Sequence, residues 1–296
     1  MSSTSTDSPA KYYHTAIALL VVGNCLAAFS DVAVKLLEGG ITPFQYVFIR
    51  QLTSALMILP FWLLQPSHKR GLSNPKATLF RAHLILVGSG SMMLALTYLP
   101  LATANAVVYA APLIMLPLSL VILAEKPARA KIMMTIVGFI GVLIVLRPSE
   151  FHWASLCALV TATTLAIFNI MARKIPNQQS VVTTLFWTSL LSIPVASIGA
   201  GLTWQTVSGK EYGLVGIAAA LILLYNGLAV VAYKKVKPAD IAMSEYSGLA
   251  FVTVIGIIWF DEIPSLITAI GILLIVIPLL PRDKIKQALQ RLTSER

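Results

Sequence analysis

The chain alternates between long apolar stretches and short polar connections. A transmembrane helix needs about 20 apolar residues, and ten stretches of roughly this length occur along the sequence. The predicted spans are residues 14–37, 43–64, 79–99, 102–124, 129–146, 151–172, 180–202, 212–234, 238–260 and 264–281. The largest connection, residues 65–81, is too short to hold a soluble catalytic domain. The pattern therefore predicts an all-α membrane protein with ten transmembrane helices.

Positively charged residues fall almost entirely in alternate connections. One set of connections contains Lys11, then Lys69, Arg70, Lys76 and Arg81, then Lys126, Arg129 and Lys131, then Arg173 and Lys174, then Lys234, Lys235 and Lys237, and last the C-terminal tail. The other set contains only Arg147 and Lys210. Because lysines and arginines near spans stay in the cytoplasm, both termini are expected to be cytoplasmic and the number of spans is expected to be even.

Composition supports a membrane protein and limits the classes of partner. Hydrophobic residues make up 57% of the chain and charged residues 11%, which is too apolar for a soluble domain. The net charge of +10 is spread over connections that face anionic headgroups, without the basic stripe of a nucleic-acid-binding protein. The expected partners are the lipid bilayer and a small-molecule substrate, with no nucleic acid. A homodimer is compatible with the sequence, which does not specify the oligomeric state.

The two halves of the chain repeat each other weakly and in the same order. The matching segments are Asp31-x-x-x-Lys35 with Asn169-x-x-x-Arg173, Ser54–Pro60 with Thr188–Pro194, and Glu125-Lys126-Pro127 with Glu262-Ile263-Pro264. Each half holds five spans, an odd number, so the second half must cross the bilayer in the opposite orientation. Inverted repeats of this kind are typical of secondary transporters, whose two halves form a site near the midplane and rock around it.

This repeat predicts the domain organisation. Residues 1–13 form a cytoplasmic N-terminus, residues 14–146 the first five-helix repeat, residues 151–281 the second, inverted repeat, and residues 282–296 a basic cytoplasmic tail. The tail has the spacing of a short amphipathic helix on the inner headgroups, and a solvated tail explains it equally well. The expected mechanism is alternating access between the two halves.

The sequence also resembles the drug/metabolite transporter superfamily, in particular its bacterial ten-helix branch with two EamA-type repeats. The motifs that carry the resemblance are Leu101-Ala-Thr-Ala-Asn-Ala106, Pro112, Glu125 and Gly138-x-x-Gly141 in the first half, and Asp240-Ile-Ala, Glu262 and Gly271 in the second. A narrower resemblance, to members similar to S-adenosylmethionine and riboflavin transporters, comes from Ser30-Asp-Val-Ala-Val-Lys35, Phe44-x-x-x-Phe48-x-Arg50 and Val137-Gly-Phe-Ile-Gly141. One departure is Glu245-Tyr-Ser-Gly248, where the family usually continues to a proline like Pro112.

What the resemblance implies is uptake of a planar heteroaromatic compound such as riboflavin or S-adenosylmethionine. Export of amino acids or related metabolites is the alternative within the same class. Two alternatives belong to other classes: an integral membrane enzyme that acts on lipid, and a channel. An enzyme is not expected, because the four histidines His14, His68, His83 and His152 lack metal-ligand spacing and the sequence has no Gly-x-Ser-x-Gly or His-Glu-x-x-His motif. No cofactor is expected.

Ionisable residues within spans are the first candidates for function, because each costs a few kcal/mol unless it is paired or hydrated. Asp31 and Arg50 are predicted at one depth, where they either contact a charged group of the substrate as a gate or form a structural ion pair between helices. Lys35 can extend outward and needs no role. Glu245 is a candidate proton- or cation-coupling site, or else a hydrogen-bonded neutral acid or a partner of Lys235.

Uncharged polar and aromatic residues within spans form a second group of candidates. Asn24, Tyr225 and Asn226 lie at mid-depth, where a substrate or a neighbouring helix can satisfy their hydrogen bonds. The aromatic residues that could line a wall for a planar substrate are Tyr109, Phe168, Trp187, Tyr225 and Tyr246. Pro112 and Pro117 are expected to loosen the fourth span near the midplane.

Overall fold

The computed structural model describes residues 9–123, 129–146, 152–176, 178–236, 241, 244–245 and 247–276. These residues form α-helices, short 3₁₀ segments and connecting loops, and they contain no β-strand. The α-helices are α1 (Pro9–Lys35), α2 (Pro43–Leu63), α3 (Pro75–Tyr98), α4 (Leu101–Val108), α5 (Ala111–Leu123), α6 (Arg129–Leu146), α7 (Ala154–Met171), α8 (Val181–Leu202), α9 (Gly209–Lys235), α10 (Ser247–Phe260) and α11 (Leu266–Val276).

The helices are long and apolar enough for a membrane fold. Among the described residues, seven candidate spans satisfy both criteria, and one of them joins α4 and α5 into a single crossing, Leu101–Ile122. Shorter apolar helices occupy Thr135–Val145 in α6 and Ser247–Phe260 in α10. With α11 these helices account for the ten predicted crossings. The predicted tail helix at residues 282–296 lies outside the described residues.

Helix packing follows a two-fold pattern that relates the two halves of the chain. The first helix of each half packs on the third helix of the other half, as α1 on α9 and α7 on α3. The second helices, α2 and α8, pack on each other, and so do the fifth helices, α6 and α11. This exchange of partners is the one that two inverted five-helix repeats require, so the predicted fold class is confirmed.

The bundle has two ends, which we call the N-terminal face and the opposite face. The N-terminal face holds the start of α1, and the opposite face holds the turn between α1 and α2. Local sequence fixes where the helices begin at each end. Thr42 before Pro43 accepts the Gln45 N–H at 3.3 Å at the start of α2, and Ser208 forms a capping box with Glu211 at the start of α9.

The structure corrects the predicted location of Arg81. The sequence pattern placed it in a connection with Lys76, but α3 begins earlier than predicted because Asn74 caps its first turn and Pro75 occupies the first position. The Asn74 side chain accepts the Ala77 N–H at 3.1 Å. Arg81 consequently lies inside the helix and is fully buried.

The fourth span is interrupted near its middle, as predicted from its prolines. Helix α4 ends at Val108, and α5 begins after a turn at Tyr109 and Ala110. Pro112 has no N–H to donate to the carbonyl four residues earlier, which weakens the helix at this point. In the second half, Ser244 and Glu245 form a short 3₁₀ segment before α10 starts at Ser247. Both halves therefore carry irregular backbone at corresponding places.

Candidate functional site

A central cavity with a volume of about 140 Å³ lies between the two halves. Helices α1, α2, α3 and α4 line it from the first half, and α7, α9 and Glu245 line it from the second. Seven predicted site residues line it, namely Asn24, Asp31, Arg50, Tyr109, Tyr225, Asn226 and Glu245.

Arg50 is buried on the α2 side of this cavity. Its Nη2 donates to the hydroxyl of Ser89 and, at 3.2 Å, to Oε1 of Gln51. Its guanidinium carbon lies 5.8 Å from the centre of the Tyr46 ring. The Nε of Arg50 has no partner among the described residues. One donor of the guanidinium is therefore unsatisfied in a residue that lines the cavity.

Asp31 lies near Arg50 without touching it. The carboxyl group is close to the Asn105 amide and lies in the electrostatic field of Arg50. Within the described part of the chain, however, the one ion pair with a separation under 4.0 Å joins Lys35 to Glu262. The interhelical ion pair predicted between Asp31 and Arg50 is therefore not formed in this conformation, because neighbouring side chains hold the guanidinium.

Glu245 is buried beneath two tyrosines of α9. The hydroxyl of Tyr233 donates to Oε1 of Glu245 at 2.5 Å, and the hydroxyl of Tyr225 donates to Oε2 at 3.4 Å. Lys235, the predicted alternative partner, instead places its Nζ 5.5 Å from the centre of the Tyr12 ring. The structure thus forms the hydrogen-bonded arrangement for Glu245, at a position that also faces the cavity.

Asn24 joins α1 to the irregular segment before α10. Its Nδ2 donates at 3.1 Å to the carbonyl oxygens of Ser244 and Glu245, and it lies 3.1 Å from Oγ of Ser247. One side chain therefore holds the backbone that carries Glu245. Irregular backbone at membrane depth is tolerated where it lines a cavity or is satisfied by neighbouring groups.

Gly248 brings the two interrupted spans together. A Cβ at this position would overlap the Tyr109 hydroxyl and would lie 3.1 Å from the Asn24 Cβ. Only glycine lets the turn after α4 approach the start of α10 this closely. This contact gives a structural reason for the glycine at the place where the sequence departs from a family proline.

The remaining predicted site residues lie elsewhere or outside the described part. Trp187 does not line the cavity, because its indole N–H donates to the Arg70 carbonyl at 2.8 Å. It packs beside Phe186 and Trp62 toward the N-terminal face. Tyr246 is outside the described residues. Phe168, a predicted aromatic candidate, does line the cavity.

Sequence reasoning missed several neutral residues of the site. The cavity is also lined by Ser30, Tyr46, Ser89, Asn105, Thr161 and Asn169. Most of these are common in any helix, so no signal marks them. Tyr233 could have been found, because it follows Tyr225 by two helical turns and therefore shares its face of α9.

The cavity can bind a substrate that carries both signs of charge. Two carboxyl groups, Asp31 and Glu245, and one guanidinium, Arg50, face a space walled by Tyr109, Tyr225 and Phe168. Carboxylates attract ammonium or sulfonium groups, and an arginine binds a carboxylate. Within the described part of the chain, no group of His, Cys, Asp or Glu residues could hold a metal ion.

A second cavity lies toward the opposite face, on the other side of α4. Thr103, His152, Glu262 and Thr268 are among its lining residues, together with Ala102. Asn105, one turn further along α4, lines the central cavity instead. The first turns of α4 therefore separate the two cavities, and Glu262 binds the Leu101 N–H at 2.6 Å at the start of this helix.

Known proteins with similar sequences are membrane transporters. The chain is 27% identical over 271 residues to an S-adenosylmethionine uptake transporter from Rickettsia felis, with 90% of this chain and 91% of the relative covered. It is 27% identical over 190 residues to a riboflavin transporter from Vibrio cholerae, covering 63% and 64%. It is 22% identical over 204 residues to a pseudopaline exporter from Pseudomonas aeruginosa, covering 65% and 69%.

Comparison with a solved structure and with a family profile agrees with the similarity to these transporters. A solved crystal structure with 16% sequence identity superposes with a TM-score of 0.67 over 92% of this chain and 96% of that chain, which shows the same fold. The sequence profile of the EamA-like transporter family matches residues 14–147 and 152–280, in both halves. The predicted resemblance is thereby confirmed. The chain belongs to the EamA-like transporter family and is a multi-pass membrane transporter.

Proposed function

We propose that this chain is an inner-membrane secondary carrier that takes up S-adenosylmethionine or a closely similar zwitterion with a planar heteroaromatic group. The N-terminal face is cytoplasmic in this proposal, as the distribution of lysines and arginines predicts. The two inverted halves alternate in exposing the central cavity to each side of the membrane.

The proposal rests mainly on the ionisable groups that line the cavity. S-adenosylmethionine bears a sulfonium, an ammonium and one carboxylate, and the cavity offers two carboxyl groups and one guanidinium at Asp31, Glu245 and Arg50. The adenine ring would lie against the aromatic wall of Tyr109, Tyr225 and Phe168. The similarity to the uptake transporter of Rickettsia felis over 90% of this chain supports the same substrate.

The same charges argue against riboflavin. Each ionisable group in a span costs about 2.5–3.5 kcal/mol unless it is compensated. The isoalloxazine ring and ribityl chain carry no charge, so riboflavin would supply no ionic partner to any of the three groups. Export of amino acids remains the alternative, because a free amino acid also presents an ammonium and a carboxylate.

Counterflow in proteoliposomes tests the proposal. Purified carrier is reconstituted, vesicles are preloaded with one unlabelled compound, and exchange with labelled S-adenosylmethionine or with labelled amino acids is measured. We expect S-adenosylmethionine to exchange, and S-adenosylhomocysteine, which lacks the sulfonium charge, to compete at least about tenfold more weakly. If amino acids exchange and S-adenosylmethionine does not, amino-acid transport replaces the proposal. Equal competition by both adenosyl compounds would show that the carboxyl groups do not recognise the sulfonium.

A further inference from the structure

Arg81 has a guanidinium group with two unused donors. The side chain is fully buried between α3 and α7, and Nη1 donates to the carbonyl of Phe168. The guanidinium carbon lies 3.7 Å from the centre of the Phe168 ring. Neither Nε nor Nη2 has a partner in the described part of the chain. A buried donor left unsatisfied costs about 1–3 kcal/mol, and more when it is charged.

The two unused donors have the geometry of an oxyanion site. Nε and Nη2 lie on one edge of the guanidinium plane, with their N–H bonds parallel. A carboxylate or phosphate binds this edge through two parallel hydrogen bonds. The third nitrogen of Arg81 is held by the backbone of α7. The edge is consequently fixed in place before any ligand arrives.

No described acid compensates the charge of Arg81, and a second cation lies nearby. Among the described residues, the one ion pair with a separation under 4.0 Å joins Lys35 to Glu262, and it lies at the opposite face of the bundle. Lys234 lies within electrostatic range of Arg81. Its Nζ donates to the carbonyl oxygens of Pro176 at 3.1 Å and Gln179 at 2.7 Å. Both cations favour an anion at this place.

Arg81 stands at the end of the central cavity that points to the N-terminal face. It lies one helical turn closer to that face than Ile85, which lines the cavity. Phe168 lines the cavity, and its ring also contacts the guanidinium of Arg81. Because the Phe168 ring covers the guanidinium and also lines the cavity, a displacement of this ring would open the free edge to the cavity.

We propose that Arg81 is a second oxyanion-recognition site, which receives the carboxylate of the substrate as the cavity opens toward the N-terminal face. The proposal rests on the proposed function for the identity of the anion. Arg50 then holds the carboxylate in the central cavity, and Arg81 holds it during passage to the N-terminal face. The Phe168 ring is the element that must move between the two states.

Transport by Arg81 variants gives the first test. The substrates are S-adenosylmethionine and its decarboxylated analogue, assayed in proteoliposomes. Arg81→Gln should lower the maximal exchange rate of S-adenosylmethionine by about tenfold or more and that of the analogue by less than about twofold. Arg81→Lys, which keeps the charge and loses the bidentate edge, should fall between Arg81→Gln and the native carrier. Lys76→Gln, an exposed position on the same helix, is the matched control.

Each other outcome of this test overturns the proposal. An equal loss for both substrates would assign Arg81 to structure, and an unchanged rate for both would remove it from the transport path. Glu125→Gln and Asp240→Asn are included because these two acids lie outside the described residues. If either substitution reproduces the Arg81→Gln profile, the counter-ion belongs to the chain and not to the substrate.

Thermal unfolding of the purified carrier separates this site from the proposed function. The midpoint is measured in chloride and then in acetate or phosphate at equal ionic strength. The native carrier and Lys76→Gln should gain more stability in the two oxyanions than Arg81→Gln does, because the general effect of these salts is common to all three proteins. If S-adenosylmethionine is not transported but this difference holds, the oxyanion site stands and the substrate assignment fails. If the oxyanions stabilise Arg81→Gln as much as the native carrier, the site is absent.

Discussion

The Nζ of Lys35 lies 2.9 Å from Oε1 of Glu262 and joins the two halves of the carrier at the opposite face. Nζ also donates to the Leu99 carbonyl at 3.0 Å, and Oε2 accepts the Leu101 N–H at 2.6 Å. The pair therefore fixes the end of α3 and the start of α4. Lys35 was expected to extend outward without a role, and this part of the sequence interpretation was wrong.

The first prediction concerns the contribution of this ion pair to the stability of the carrier. Lys35→Met and Glu262→Gln should each lower the free energy of unfolding by about 1 kcal/mol, since both side chains remain partly solvated. The double variant should lose less than the sum, and a double-mutant cycle measured by thermal unfolding gives the coupling. Glu38→Gln, an exposed acid on the same face, is the control. Strict additivity of the two single effects would show that the pair is not coupled.

A second prediction follows from the close approach at Gly248. Gly248→Ala should reduce transport and lower stability by about 1–3 kcal/mol, because its methyl group overlaps the Tyr109 hydroxyl. Combining it with Tyr109→Phe removes that hydroxyl and should recover part of the loss. Gly216→Ala on α9, where a Cβ meets nothing within 4 Å, is the matched control. Similar effects of the two alanine substitutions would contradict the close contact between the interrupted spans.

Arg50 carries the third prediction. Arg50→Lys should raise the Michaelis constant for S-adenosylmethionine by about tenfold or more, because an ammonium cannot keep the Ser89 hydrogen bond and also offer a planar edge to a carboxylate. The effect should be smaller for the decarboxylated analogue. Lys210→Met, in an exposed position at the opposite face, should leave the constant unchanged. The Michaelis constants are obtained from initial rates over a range of substrate concentrations. An equal rise of the Michaelis constant for both substrates would exclude recognition of the carboxylate by Arg50.

The fourth prediction concerns Glu245 and coupling. Glu245→Gln should change the pH dependence of uptake more than it changes protein abundance, because the group lies in the cavity under Tyr225 and Tyr233. Tyr233→Phe removes one hydrogen bond and keeps the carboxyl group, so it should retain a pH-dependent rate. The pH profile of uptake and the amount of folded carrier are measured together. A parallel loss of rate and abundance would assign Glu245 to structure.

Much of the fold could be predicted because the bilayer imposes it. Apolar stretches of span length and alternating positive connections mark the ten helices, and short repeats such as the one around Asp31 and Asn169 mark the two halves. Asp31, Arg50 and Glu245 were predicted as site candidates because ionisable residues in spans are costly. The structure places all three in one cavity.

Other features depend on tertiary packing and leave no local signal. Ser89 and Asn105 are ordinary helix residues until Arg50 and Asp31 lie beside them. Arg81 looked like a connection residue because a cation near the start of a helix has the same sequence context as one in a loop. The Lys35–Glu262 pair joins residues from opposite halves, and their separation along the chain conceals it.

Accessibility of the cavity from each side of the membrane tests the central claim most directly. Asn226→Cys is introduced after Cys25 and Cys157 are replaced, and a membrane-impermeant thiol reagent is applied to oriented vesicles from either side. A carrier with two alternating halves predicts modification from both sides, slowed in each case by substrate. Modification from one side alone, with and without substrate, would contradict alternating access through this cavity.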